Sequence, residues 1–142
     1  MIYEEEPENF EPTFEVVGCF VEVDGKILLL HRQDHKPQGG TWGCPAGKVD
    51  EGENIGEAIV REVMEETGLN LPEANHFKKI FVRLPDYDFV YHIFHSPFEE
   101  KPEINLRSEE HKDFQWASPE DALGLPLVLD EDLCIKLFFG LE

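Results

Sequence analysis

The stretch that decides this fold is "GKVDEGENIGEAIVREVMEETGL", residues 47–69. It carries seven acids (Asp50, Glu51, Glu53, Glu57, Glu62, Glu65 and Glu66) against two bases, Lys48 and Arg61. Residues 54–67 are good helix formers, with Asn54 able to cap the start and Gly68 to stop the end. On a wheel of about 100° per residue, Ile55, Ala58, Ile59 and Val63 make the inward stripe of an amphipathic helix. Glu62, Glu65 and Glu66 continue that stripe along the axis, whereas Glu57 falls on the far side and reads as solvated.

Three carboxylates aimed partly into a fold are strongly disfavoured unless something neutralises them. Arg61 can pair with Glu65 one turn on, but such a pair contributes only a few tenths of a kcal/mol. A bound divalent cation is a sufficient answer, and Mg²⁺ and Mn²⁺ prefer carboxylate, carbonyl and water oxygens. The competing reading is a solvated acidic face, the usual meaning of a charge run. Against it stand the inward placement of the glutamates and the Gly-rich loop that leads into the helix. An EF-hand fails: counted from Asp50, Ile55 stands where Gly is needed and Arg61 where Glu is needed.

Working outward, residues 14–23 and 26–31 read as strands around an Asp24-Gly25 turn, a strong hairpin signal. Residues 32–53 have no periodicity and many turn formers, so they read as a long functional loop with a short strand near Trp42. Residues 77–84 and 88–94 read as strands joined by "PDY", and 114–117 as a short strand after a polar loop. Ser118, Pro119, Glu120 and Asp121 open a helix, and a last helix spans about 130–139. Strands and helices mix without regular βαβ alternation, which predicts an α/β fold: a mixed sheet with helices packed on it. Residues 1–12 read as a flexible acidic lead and 13–142 as a single domain.

The formal net charge of -19 argues against a nucleic-acid polymer or an anionic membrane as partner, since both need a basic face. A small phosphorylated ligand stays compatible, because a divalent cation can sit between two sets of negative charge. Cys19, Cys44 and Cys134 are odd in number with no CxxC spacing, and read as reduced thiols of a cytoplasmic protein. The N-terminus lacks the basic and apolar regions of a signal peptide, and no apolar run reaches membrane-spanning length.

The fixed spacing of Gly47, Glu53, Arg61, Glu62, Val63, Glu65, Glu66, Gly68 and Leu69 resembles the signature of the Nudix (MutT-like) hydrolases, with every specified position filled. The preceding "GGTWGCPAGK" is similar to the family's approach to its box, except that Ala46 stands where Gly is commoner. The resemblance implies an α/β/α sandwich with a mixed central sheet. It also implies Mg²⁺-dependent hydrolysis, Mn²⁺ substituting, of a diphosphate bond in a nucleoside diphosphate linked to another group. Glu62, Glu65 and Glu66 would hold the metal together with the Ala46 carbonyl, which serves if Ala46 keeps a negative φ. Arg61 would fix a glutamate, and Glu53 would pair with Arg61 or reach an outer water.

The general base is a box glutamate or a distant loop acid, for which Glu109 or Glu110 of "RSEEH" is the candidate, Glu110 being preferred. Arg32, then Lys36 and Lys48, are the expected donors to substrate phosphates. No histidine pair stands in the HExxH pattern of a zinc site, His31 and His35 being four apart in "HRQDH" without its Glu. Of the strand aromatics Phe89, Tyr91, Phe114 and Trp116, most are expected in the core, with one or two free to stack on a base. Pro85 and Tyr87 resemble marks of the ADP-ribose and dinucleoside polyphosphate groups respectively. The short chain resembles the compact nucleoside triphosphate group most, releasing a nucleoside monophosphate and pyrophosphate. The alternative from another class is a nucleotide sensor that has lost catalysis, and family members are often dimers.

Overall fold

The computed structural model describes residues 1–142. Strand β2 (Pro12–Val23) folds back on β3 (Lys26–Arg32) through Asp24 and Gly25, both at positive φ, with Val23 opposite Lys26. Two left-handed residues match the twist of the flanking strands, which is why Asp-Gly stands here. The run Ile27-Leu28-Leu29-Leu30 is wholly buried, as expected for a strand covered on both faces.

Alternation along β2 and β3 sorts the core into two layers. Val17, Cys19, Val21, Leu28 and Leu30 pack with Ala58, Ile59 and Val63 of α1 (Ile55–Thr67). Phe20, Ile27 and Leu29 point the other way, against Ala122 of α2 (Pro119–Ala122) and Cys134 and Ile135 of α3 (Glu131–Phe139). Each fully buried Leu or Ile side chain contributes about 2 kcal/mol. The architecture is an α/β/α sandwich.

The sheet runs β1 (Ile2–Tyr3), β6 (Asn75–Arg83), β7 (Asp88–Pro97), β2, β3, β4 (Trp42–Gly43), with β5 (Ala46–Lys48) on β2 and β8 (His111–Ala117) on β3. Neighbours are antiparallel except β2 and β7, whose long parallel register makes the sheet mixed. Strands β6, β7 and β8 run further into polar residues than local propensity indicates, because ladder pairing extends them. The 32–53 loop is pinned by β4 and β5 rather than left free.

Residues 1–12 differ from the expected flexible lead. Ile2 and Tyr3 pair with Val82 and Phe81, and the Met1 ammonium donates to the Arg83 carbonyl at 2.9 Å. Phe10 meets Phe81 edge-on at 5.3 Å, and the Arg83 guanidinium donates to the carbonyls of Glu8 and Asn9. Apolar anchors set between the acids let this strap cover part of the β6 edge, which would otherwise expose unpaired backbone.

Gly18 of β2 tests how tightly the sheet packs. A Cβ there would lie 1.8 Å from the Tyr91 hydroxyl oxygen. Gly18→Ala is expected to cost about 1–3 kcal/mol of stability, a fall in Tm of roughly 2–10 °C by scanning calorimetry. An unchanged Tm would show that the Tyr91 ring moves aside freely.

Candidate active site

Helix α1 begins at a capping box: Asn54 Oδ1 accepts from the Glu57 amide at 2.8 Å and Glu57 Oε1 accepts from the Asn54 amide at 3.1 Å. It ends at Gly68, at φ 76° in the left-handed region. These two ends fix where every acid of the helix points.

Arg61 is the electrostatic hub. Its Nε and Nη2 donate to the two oxygens of Glu53 at 2.8 and 2.9 Å. Its Nη1 donates to Glu62 Oε1 at 2.9 Å and, longer, to Glu65 at 3.3 and 3.4 Å, while Nη2 also reaches the Lys48 carbonyl at 3.0 Å. Asp50 lies 3.4 Å from Nε. A planar fork can serve this many acceptors where an ammonium cannot. The bonds from Arg61, then the Asp50 amide, hold the Glu53 carboxyl down at about 2. Of the two roles open to Glu53, the structure shows the pairing with Arg61.

Glu62 and Glu66 turn inward; Glu65 does not. Glu66 is 5 % exposed and its Oε1 accepts from the Ala46 amide at 2.9 Å. Burial pushes its pKa well above the ordinary value, the Ala46 amide opposes, and Glu62 and Glu110 add to the rise. Burial also raises Glu62, with Arg61 opposing. The Glu62 carboxyl rests against Gly47, where a Cβ would fall 2.1 Å from its carboxyl carbon. Glu65 is 42 % exposed, which corrects the expectation that all three glutamates share the inward stripe. The buried arc is centred near Ile59 and Val63, and on the wheel Glu65 lies on the flank away from them.

The loop before β8 docks on the end of α1. The Asn105 amide donates to the Thr67 carbonyl at 2.8 Å, and the Arg107 amide donates to the Glu66 carbonyl at 3.4 Å. This docking delivers Glu110 and His111 to the acids: one carboxylate oxygen each of Glu66 and Glu110 and one ring nitrogen of His111 lie within 4.8 Å of one another. Glu109 is exposed and takes no part in that group. His111 is buried, its Nδ1 has no hydrogen-bond partner, and burial, then the Arg32 charge, lowers its pKa to about 4. Crowded oxygens, an orphaned imidazole nitrogen and the raised Glu66 carboxyl are a donor set that suits a divalent cation. Ala46 has no positive φ, which meets the condition for its carbonyl to stand in for that of Gly.

A cavity of about 400 Å³ connects these groups to the rest of the fold. Arg32, Ala46, Lys48, Glu66 and His111 line it, and so do Phe14, Phe89, Tyr91, Cys44 and Glu131. Arg32 Nε donates to the Pro37 carbonyl at 2.8 Å, and the Lys48 ammonium sits 4.3 Å over the Phe14 ring. Phe14 stacks on Phe89 at 5.2 Å. Lys36, expected as a phosphate donor, does not line the cavity, although its charge is felt at His111. Phe114 is exposed and Trp116 packs on the α1 core, leaving Phe89 and Tyr91 as the expected aromatics that face the cavity.

Glu131 escaped the sequence reading, where it is only an acid in the first turn of the last helix. It is 5 % exposed, its Oε1 accepts from the Cys44 amide at 2.6 Å, and burial raises its pKa. No local spacing could have found it, because Cys44 is contributed by a distant loop. His111 had a weak signal, as the neighbour of Glu110.

The NUDIX domain model matches residues 12–137. The chain belongs to the Nudix family. It is a Nudix pyrophosphohydrolase, acting on nucleotide diphosphate bonds. It is 34 % identical over 132 residues to the CTP pyrophosphohydrolase of Escherichia coli strain K12, covering 90 % of this chain and 93 % of that one. It is 39 % identical over 77 residues to the ADP-ribose pyrophosphatase of Methanocaldococcus jannaschii, 54 % of this chain and 44 % of that protein. The crystal structure of a MutT protein from Methanosarcina mazei superposes with a TM-score of 0.80 at 26 % identity, covering 92 % of this Nudix chain and 95 % of the other. No helix of this Nudix hydrolase is long and apolar enough to cross a membrane, and its three cysteines are free thiols.

Two predictions follow from the packing and charge of α1. Gly47→Ala should displace the Glu62 carboxylate and lower turnover about 100-fold while the circular dichroism spectrum stays native; wild-type turnover would show Glu62 has no fixed role. Glu62 and Glu66 have raised pKa values in the cation-free fold. An acid raised on folding binds more protons folded than unfolded, so its contribution to stability falls as pH climbs past the ordinary carboxylate range. A divalent cation binding the ionised oxygens reverses that loss. The rise in Tm on adding Mg²⁺ should therefore be larger at about pH 8 than at about pH 5, and equal rises would mean these acids are not the ligands.

Proposed function

We propose that this Nudix hydrolase cleaves nucleoside triphosphates to a nucleoside monophosphate and pyrophosphate in the cytoplasm, with Mg²⁺ as its cofactor and Mn²⁺ as a substitute, and that cytidine triphosphates are among its best substrates. The observation that carries this reading is the single cavity shared by the acidic helix and an aromatic, carboxyl-bearing wall. Its volume of about 400 Å³ falls within the range of small-molecule sites. A phosphate chain belongs beside Glu66 and Arg32, and a base beside Phe89, Tyr91 and Glu131.

Glu62, Glu65 and Glu66, with the Ala46 carbonyl, would hold the cation. When bound, it screens phosphate charge, orients the phosphates and acidifies a coordinated water. Arg61 is a positioning residue, fixing Glu62 and the rim acid Glu65 while Glu53 anchors Arg61 itself. Arg32 has one N–H committed to Pro37, which orients the remaining guanidinium donors for phosphate oxygens. Lys48 adds a second positive charge at the cavity wall. Glu110, delivered beside Glu66, accepts the proton of the attacking water as its oxygen bonds to phosphorus; the bridging P–O bond breaks and pyrophosphate leaves.

Burial favours the neutral form of Glu131. A neutral carboxyl offers one donor and one acceptor, which complements the ring nitrogen and amino group on the pairing edge of cytosine. The CTP pyrophosphohydrolase relative, matched over nearly its whole length, supports the same base. The net charge of -19 supports a small nucleotide rather than a nucleic-acid polymer or membrane as partner.

The test is hydrolysis with Mg²⁺, the products being separated by chromatography. CTP, dCTP, UTP, ATP, GTP and oxidised dGTP would yield pyrophosphate. ADP-ribose and diadenosine polyphosphates would yield AMP with ribose 5-phosphate and two mononucleotides respectively. Fastest turnover of the cytidine compounds is expected. Turnover of ADP-ribose or dinucleoside polyphosphates alone would assign the chain to those branches, and binding of every compound without turnover would make it a silent sensor. Glu65→Gln and Glu66→Gln should each lower kcat by about 100-fold or more without unfolding the protein; wild-type turnover in either would remove that residue from the site.

A further inference from the structure

His111 is the first residue of β8 and is 5 % exposed, and its Nδ1 is buried with no hydrogen-bond partner. An unsatisfied buried polar atom costs about 1–3 kcal/mol, so a histidine kept in this state points to a missing ligand. The ring does not stack on any aromatic side chain, and the acid set of α1 does not hydrogen-bond it. Its charged surroundings are Arg32 and Lys36 on one side of the balance and Glu110 on the other.

We propose that His111, together with Glu66 and Glu110, forms a nitrogen-bearing cation site that discriminates for transition-series divalent ions, such as Mn²⁺, over Mg²⁺. The inference rests on the hydrolase reading for the roles of Glu66 and Glu110, and it can fail separately from that reading. Glu110 gives one carboxylate oxygen to the ion and keeps the other for the water proton. One ring nitrogen and two carboxylate oxygens already lie within 4.8 Å of one another. Ligands about 2.0–2.2 Å from one ion are at most about 4.4 Å apart, so a small side-chain adjustment closes the triad. The three come from separated segments that the backbone holds together: Glu66 from α1, and Glu110 and His111 from the loop and strand docked on its last turn.

Ligand chemistry gives the selectivity. Carboxylates alone suit Mg²⁺ and Mn²⁺ alike, whereas imidazole nitrogen suits transition-series ions, and Mg²⁺ seldom exchanges its waters for nitrogen. An all-oxygen site would leave the choice of ion to concentration. A site with His111 in it tilts that choice toward the transition series, so Mn²⁺ substitutes for Mg²⁺ at lower concentration than an all-oxygen site would allow.

The test uses metal-free full-length protein titrated with Mn²⁺. Free ion is counted by electron paramagnetic resonance, Mg²⁺ affinity is measured by competition, and the bound ion is probed by pulsed resonance for ¹⁴N coupling. The wild type is expected to show ¹⁴N coupling. His111→Ala should lose that coupling and weaken Mn²⁺ binding about 10-fold or more, with Mg²⁺ affinity nearly unchanged. His111→Gln, closer in size, gives the same comparison if the alanine variant does not fold. Absence of ¹⁴N coupling in the wild type overturns the proposal, as does a folded His111 variant with unaltered preference for Mn²⁺ over Mg²⁺. A wild type that shows the coupling yet hydrolyses no nucleotide supports this site and refutes the proposed function.

Discussion

The constraint on which the rest depends is a carboxylate buried under a strand. Glu66 sits inside the fold with one hydrogen bond, from the Ala46 amide. That bond ties α1 to β5, and β5 is in turn a ladder partner of β2 at the middle of the sheet. Burying a lone carboxylate costs several kcal/mol, more than one amide bond returns. In the cation-free protein burial raises the pKa values of Glu62 and Glu66, which eases the conflict by favouring the protonated carboxyl. A divalent cation held at this site would compete with a proton for the same oxygens.

Arg61 resolves the part of the problem that lies nearer solvent. It does not neutralise the buried acid at all; its partners are Asp50, Glu53, Glu62 and Glu65, and Glu66 is absent from that set. The guanidinium binds the 48–53 loop to the helix, so the loop that reads as structureless in sequence is a fixed wall of the site. Glycine at position 47 is a requirement of the same wall. The glutamate it faces needs the space a side chain would take.

Much of this was legible in the sequence because the signals are local. Helix α1, its Asn54 cap, its Gly68 stop and the Asp24-Gly25 hairpin are written in neighbouring residues, and the structure has all of them. The inward turn of Glu62 and Glu66 followed from periodicity alone. Periodicity erred for Glu65 because a wheel gives angles between residues, while the centre of the buried arc is set by what packs above the helix. The docked N-terminal strap was missed for a related reason: only the bare edge of β6 makes Ile2 and Tyr3 a strand. Glu131 and His111 lie furthest from any sequence signal, since each is defined by residues more than sixty positions away or by burial that only tertiary packing creates.

The cavity shows why these non-local pieces matter. Its acidic part is built by one continuous motif, so charge, spacing and geometry are fixed together by about two dozen consecutive residues. Its other walls are assembled from Ile2 of the strap, Phe14 of β2, Phe89 and Tyr91 of β7, and Glu131 at the start of α3. Apart from Phe89 and Tyr91, two apart on one strand, none of those residues constrains another through the chain. The acidic part is thus held by one run of sequence, while the other walls can change without altering that run. A fold divided in this way can keep one bond-breaking apparatus and vary what is attached to the phosphates. In this chain the variable wall offers stacked aromatics and a buried carboxyl whose pKa burial raises, and a flat ring bearing an amino group beside a ring nitrogen would complement both.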